Sequence, residues 1–104
     1  MISIQQAFLN VASEIPVSDP SVQVRLDRGY GICISHGYTM TKQEDGTWLV
    51  HRASTALLED NSITYHVSKT GGCTCPDAVD GRARAGLCKH RLAVMLKEEM
   101  EGVV

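Results

Sequence analysis

The sequence predicts an α+β fold in which a small antiparallel β-sheet of about three strands packs with helices. Near both ends of the chain, apolar residues recur at steps of three and four, as they do along one face of a helix. In the middle, β-prone runs flank an Asp-Gly pair, which is typical of a hairpin turn. The 104 residues are expected to form a single domain, 1–104, with a helical and hairpin part at 1–61 and a cysteine-containing part at 62–101.

The first helix is predicted over residues 4–14, because apolar side chains share one of its faces. These side chains are Ile4, Phe8, Val11 and Ile15. Ser3 followed by Gln6 fits a capping box at the start of the helix. Pro16 is expected to end the helix, since proline lacks the backbone N–H that the next helical hydrogen bond needs.

Residues 20–36 fit two patterns. Their apolar side chains recur at helical steps but also alternate as in strands. Asp19 and Pro20 are typical of the N-cap and first position of a helix. Gly29 and Gly31, however, would each cost a helix about 1 kcal/mol. A hairpin turn over residues 27–29 is therefore the alternative, and the residues alone leave both interpretations open.

The following segments predict the sheet. Residues 38–42 and 47–52 are expected to pair through Asp45-Gly46, and residues 62–68 to form a third strand. The side chains expected to face the helices are Trp48, Val50 and Arg52 on one strand and Ile63, Tyr65 and Val67 on the other. A short turn of helix is expected at 55–59. The last helix is predicted over 89–101, with a buried stripe of Leu92, Ala93, Met95, Leu96 and Met100.

Four residues in the C-terminal part predict a metal site. Cys73 and Cys75 form a Cys-x-Cys pair, and Cys88 and His90 form a Cys-x-His pair. Three thiols and one imidazole complete the tetrahedron of one structural Zn²⁺ and leave no open position for water, so the residues favour a binding module and not an enzyme. Two disulfides are the alternative, but the chain shows no secretory character. Cys88 is expected in the turn entering the last helix and His90 in its first turn.

The stretch 65–96 resembles the SWIM zinc finger family. Tyr65 and Val67 match the strand that precedes its Cys-x-Cys…Cys-x-His pattern, and residues 88–94 match the start of its helix. The resemblance implies a ββα zinc module associated with DNA binding or protein–protein contacts, and it implies no enzymatic activity. Similar small proteins place helical and hairpin segments before the finger, which favours a helix over the ambiguous segment, closed by Gly37 as its C-cap.

The charge distribution suggests a nucleic-acid partner despite a net charge of −2. Five cations lie between positions 81 and 97 with no acid between Arg82 and Lys97; they are Arg82, Arg84, Lys89, Arg91 and Lys97. These residues are the expected contacts to DNA phosphates. The alternative is a protein–protein interaction adaptor in which zinc is purely structural.

Other sequence features narrow the remaining classes of function. No apolar segment is long enough to span a membrane and no signal peptide is recognisable, so an intracellular, cytoplasmic protein is expected. No phosphate-binding glycine loop or nucleophile motif is present, so no small-molecule substrate is expected. Cys33 lies between two isoleucines and is expected to be a buried, inert thiol. The oligomeric state stays open.

Overall fold

The computed structural model describes residues 2–35, 37–52, 63–70, 72–83 and 86–102. Its elements follow the order α1 (Ile4–Glu14), α2 (Pro20–Ile34), β1 (Tyr38–Lys42), β2 (Trp48–Arg52), β3 (Ile63–Val67), α3 (Pro76–Val79) and α4 (Lys89–Glu101). The helices and the three-stranded antiparallel sheet confirm the predicted α+β fold class. The helical turn predicted at 55–59 lies outside the described residues. None of the described helices has the length and apolarity needed to cross a membrane.

Helix α1 begins and ends as its sequence predicts. The Ser3 hydroxyl accepts a hydrogen bond of 3.1 Å from the Gln6 backbone N–H. The Gln6 side chain donates to Asn10 at 2.9 Å, so only the Ser3 half of the expected capping box forms. After Glu14 the backbone is extended at Ile15, the conformation that a following proline imposes.

Helix α2 resolves the ambiguity of the second segment in favour of a helix. Its N-cap is Asp19, whose carboxylate accepts from the Ser21 N–H at 2.9 Å. The prediction that Gly37 closes the helix is wrong. The chain leaves the helix at Ser35 with extended backbone (φ −81°, ψ 139°), so no left-handed glycine is needed there. Gly37 instead donates its N–H to the Ser35 hydroxyl at 3.0 Å.

Glycine stands at position 29, in the middle of α2, because this position lies against helix α4. A Cβ at this position would lie 3.0 Å from the Ala93 nitrogen, 3.1 Å from the Lys89 carbonyl oxygen and 3.2 Å from Leu92 Cβ. Helices α2 and α4 therefore approach each other more closely than any larger residue would permit. The helix propensity that glycine loses is offset by this contact, which sequence periodicity does not reveal.

The sheet has the order β1-β2-β3, with Val50 opposite Met40 on one side and Tyr65 on the other. The Asp-Gly turn is confirmed, with Gly46 in the left-handed region at φ +89°. Trp48, Val50 and Val67 are buried against α4, as predicted for that face. At the far end of β3 the same face reaches solvent, since Ile63 is 40% exposed.

Helix α4 packs against both the helices and the sheet. Leu92 and Leu96 join the core between α1, α2 and α4, whereas Ala93 and Val94 join the core beneath the sheet. Met95 and Met100 from the predicted stripe lie at the edge of the first core and are half-buried. Because two cores meet on α4, its buried surface is wider than the predicted stripe, and it includes Val94.

Candidate metal centre

The first two thiols lie on an extended segment that folds back along β3. The Ser68 N–H donates to the Gly72 carbonyl at 2.7 Å, and Cys73 pairs with Val67. Alternate residues of an extended segment point to the same side, so Cys73 and Cys75 both point inwards while Thr74 is exposed. Cys75 then caps α3, its carbonyl accepting the Val79 N–H at 2.9 Å.

The other two side chains stand at the start of α4, where the sequence predicts them. Cys88 is the N-cap, and its sulfur accepts from the Arg91 backbone N–H at 3.4 Å. His90 follows in the first turn and is 2% exposed. Cys75 and Cys88 are equally buried, at 2% and 0% exposure, and Cys73 is half-buried. All four cysteines of the chain, including Cys33, are free.

The four side chains converge on one point. The three sulfurs and one imidazole nitrogen all lie within 4.8 Å of one another. Cys73 Sγ is 3.8 Å from His90 Nδ1, so Nδ1 is the imidazole nitrogen that faces this thiol and could bind an ion. Tetrahedral bonds of about 2.3 Å to sulfur place ligand atoms about 3.8 Å apart, so the cluster can close on one ion with small side-chain movements. The residues therefore fit a single metal ion of the kind that Cys₃His sets hold.

The three thiols are close enough to shift one another's pKa values. Hydrogen bonding from the Cys73 thiol lowers the pKa of Cys88 to about 4, and His90 acts in the same direction. The pKa of Cys73 is raised, first because its thiol donates to Cys88 and then by burial. Burial is the main cause of the raised pKa of Cys75. Three thiolates at this separation repel one another, and a bound divalent cation removes that penalty.

An aromatic ring holds the imidazole. Tyr65 lies against His90 with ring centroids 4.2 Å apart and an angle of 32° between the planes. His90 Nε2 is buried and has no hydrogen-bond partner among the described residues. The imidazole therefore packs on Tyr65 while its Nδ1 faces the thiols.

An ion pair that the sequence did not reveal fixes the segment after Cys75. Arg25 of α2 donates to both carboxylate oxygens of Asp77, each at 2.7 Å, and Ser21 accepts a further bond from the same guanidinium. The hydrogen bonds from Arg25 lower the pKa of Asp77. The Asp77 side chain thus ties α3 to α2. The partners are 52 residues apart, so no local pattern could have found them.

The five cations predicted to contact nucleic acid are divided by the fold. Arg82 and Lys89 line one pocket beside the metal centre. Arg91 lines a different groove, between α4 and residues 67–70, and Lys97 pairs with Glu101 at 3.8 Å. Arg84 lies outside the described residues. The pocket is also lined by Arg25 and Arg28 of α2, which the sequence did not indicate as part of this site.

Cys33 is half-buried and not fully buried as the sequence predicts. Its thiol donates to the Ala93 carbonyl oxygen at 3.4 Å, and Cys33 is not among the four clustered side chains. Burial raises its pKa to about 11. At neutral pH the thiol is therefore protonated and a poor nucleophile.

A comparison of the chain with protein-family models, with curated proteins and with solved structures finds no match. The description of the protein therefore rests on its fold and on the Cys₃His cluster. It is an α+β protein whose Cys73, Cys75, Cys88 and His90 could hold one metal ion.

Proposed function

We propose that this protein is a SWIM-type zinc module that holds one structural Zn²⁺ and binds DNA through the basic surface beside the metal. The proposal for zinc rests on the ligand set, because three thiolates and one imidazole fill a tetrahedron and suit a soft-to-borderline ion. The ligands come from the segment after β3 and from the start of α4. A bound ion would cross-link these two segments, and its binding energy would add directly to folding energy.

The observation that carries the DNA proposal is the convergence of four cations on one pocket at the metal centre. Arg25 and Arg28 come from α2, Arg82 from the loop after α3 and Lys89 from the first turn of α4. The carboxylate of Asp77 matches the charge of Arg25, which leaves Arg28, Arg82 and Lys89 as the side chains for phosphates. Arg82 also pairs with Asp80 at 3.3 Å, but both side chains are about 60% exposed and such a pair is weak.

Binding of this kind has a measurable salt dependence. Three phosphate contacts predict a slope of roughly −2.7 for log K against log salt on duplex DNA. Affinity should then fall about 40-fold between 50 and 200 mM salt. Contacts to phosphates carry little sequence information, so different duplexes of equal length should bind alike.

Fluorescence anisotropy with labelled duplex DNA and zinc-loaded protein tests the proposal. Arg82→Glu should weaken binding severalfold or more and make the salt slope less steep by about one. Lys97→Glu is the matched control, because Lys97 lies away from the pocket on the same helix as Lys89. Equal affinities for the wild type, Arg82→Glu and Lys97→Glu, or an affinity independent of salt, would show that this surface does not bind DNA.

A second candidate function, a protein–protein adaptor, has one observation in its favour. Between α1 and α2 lies an open apolar groove of about 440 Å³ lined by Phe8, Leu9 and Tyr30. Leu9 is 62% exposed, and exposed leucines in a groove favour contacts with a partner. A protein partner that survives nuclease treatment and is lost with Leu9→Asp would favour this candidate.

A further inference from the structure

The pocket beside the metal centre is more than a basic patch. It measures about 280 Å³ and is walled by four separate parts of the chain: α2, β3, the segment 75–82 and the first turn of α4. We refer to it as the cationic pocket. Its lining includes Arg28, Arg82 and Lys89, together with Tyr65 and His90. A concave site of this size can enclose a small charged group on several sides, whereas a flat patch touches it on one.

Part of the wall is held in place by its own contacts. Arg25 uses its guanidinium on Asp77 and Ser21, and it also donates to the Arg82 carbonyl at 3.3 Å. Arg28 stands three residues further along α2, on the same face of the helix as Arg25. The Arg25–Asp77 pair thus ties α2 to α3 at this pocket, and Arg28, Arg82 and Lys89 line the same pocket.

The charge of the cationic pocket suits a dianion. Four side-chain cations line it against one carboxylate, Asp77. A centre of Zn²⁺ and three thiolates would add about one negative charge, leaving an excess of about two positive charges. A phosphate monoester carries about −1.5 to −2 at neutral pH, whereas each phosphate within a strand carries −1.

The wall also offers hydrogen-bond donors of the kind that phosphate oxygens accept. Arg28 and Arg82 supply planar guanidinium groups, and Lys89 supplies an ammonium group. The Tyr65 ring, stacked on His90, adds an aromatic surface at the edge of the same pocket. A base attached to a bound terminal phosphate could lie against such a ring.

We infer that the cationic pocket binds the terminal phosphate of a nucleic-acid strand, held by Arg28, Arg82 and Lys89. This inference rests on the proposed DNA binding and refines it, because it assigns one site on the basic surface to strand ends. The backbone of a duplex meets the rim of the pocket, and a terminal phosphate, free on one side, enters it.

The test compares two versions of one single-stranded oligonucleotide, labelled at its 3′ end and carrying either a 5′-phosphate or a 5′-hydroxyl. Anisotropy is measured with zinc-loaded protein in phosphate-free buffer. The phosphorylated strand should bind about tenfold more tightly. Arg28→Gln should bring the two affinities together. Lys42→Gln, a change on β1 away from the pocket, should keep the tenfold preference. Zinc content and thermal midpoint establish that each variant is folded.

The outcomes separate this inference from the function on which it rests. Equal binding of both strands by the wild type overturns the terminal-phosphate site and leaves DNA binding standing. A preference that persists in Arg28→Gln also overturns it. Absence of binding to either strand, together with absence of binding to duplex DNA at low salt, overturns both. Competition by inorganic phosphate at constant ionic strength distinguishes two kinds of phosphate site. If free phosphate abolishes the preference for the 5′-phosphorylated strand, the pocket binds phosphate in general. If the preference resists free phosphate, the pocket is a site for strand ends.

Discussion

Two glycines of α2 allow the helix contact that builds the site to be tested directly. Gly29 lies against α4, whereas a Cβ at Gly31 would meet nothing within 4 Å. Replacing either glycine by alanine reduces the entropy of the unfolded chain by the same amount and improves helix propensity by about 0.5–1 kcal/mol. Any difference between the two variants therefore reports packing in the folded state.

The expected effects have opposite signs. Gly31→Ala should stabilise the protein by about 0.5–1 kcal/mol, which for a chain of this length raises Tm by about 2–5 °C. At Gly29 the new methyl group would press on the backbone atoms of Ala93 and Lys89, at 3.0 and 3.1 Å. Overpacking of this kind costs about 1–3 kcal/mol, which exceeds the gain in propensity. Gly29→Ala should therefore lower Tm.

Thermal unfolding of the zinc-loaded proteins followed by circular dichroism measures both changes. Because Lys89 lies between Cys88 and His90, displacement of its carbonyl should also weaken zinc binding in Gly29→Ala, as measured by competition with a chromophoric chelator. Gly31→Ala should bind zinc as the wild type does. If Gly29→Ala proved as stable as Gly31→Ala, the close contact between α2 and α4 would be refuted.

Three further predictions concern the metal centre and its supports. Cys88→Ala should lose stoichiometric zinc and unfold at least the C-terminal half, as chelation of the wild type should, whereas Cys33→Ala should keep its zinc; atomic absorption and circular dichroism decide. Arg25→Met should destabilise the protein by about 1.5–3 kcal/mol in urea unfolding at pH 7, because the Asp77 carboxylate loses two charge-assisted hydrogen bonds; an unchanged midpoint would contradict this role of the pair. Because burial raises its pKa to about 11, Cys33 should react with iodoacetamide at pH 8 roughly a hundredfold more slowly than in the unfolded chain, and faster as pH rises towards 11. Mass spectrometry of the zinc-loaded protein measures this rate, and rapid reaction at pH 8 would contradict the raised pKa.

Local signals in the sequence predicted most of the elements correctly. The bounds of α1 follow from Ser3 and Pro16, which act on the residues next to them. The β1–β2 hairpin follows from Asp45-Gly46, since few residues adopt the left-handed conformation that the turn requires. Such patterns are visible because their causes lie within a few residues of one another.

The candidate ligands were predictable for a related reason. A Cys₃His set needs only the right donor atoms in two short motifs, and the chain between them can vary. The motifs also fix the local geometry: Cys88 caps α4 and His90 follows in its first turn. The four residues could therefore be named before their distances were known.

The surroundings of the site depended on contacts between distant segments. The sequence grouped Arg82, Lys89, Arg91 and Lys97 because they are close along the chain, but α4 turns them towards different faces. Nothing in the sequence placed Arg28 beside them. The fold brings it there because α2 crosses the start of α4.

The sequence by itself determined the fold class, most of the elements and the four candidate ligands, because each depends on short-range sterics, capping or donor chemistry. Only the tertiary structure decided that α2 is a helix despite its glycines and that Arg25 pairs with Asp77. Gly29 lies where α2 approaches the backbone of α4, and Arg25 meets Asp77 where α2 lies beside α3. Both contacts join segments that are far apart in the sequence. The cationic pocket likewise joins residues of α2, β3, the segment 75–82 and α4.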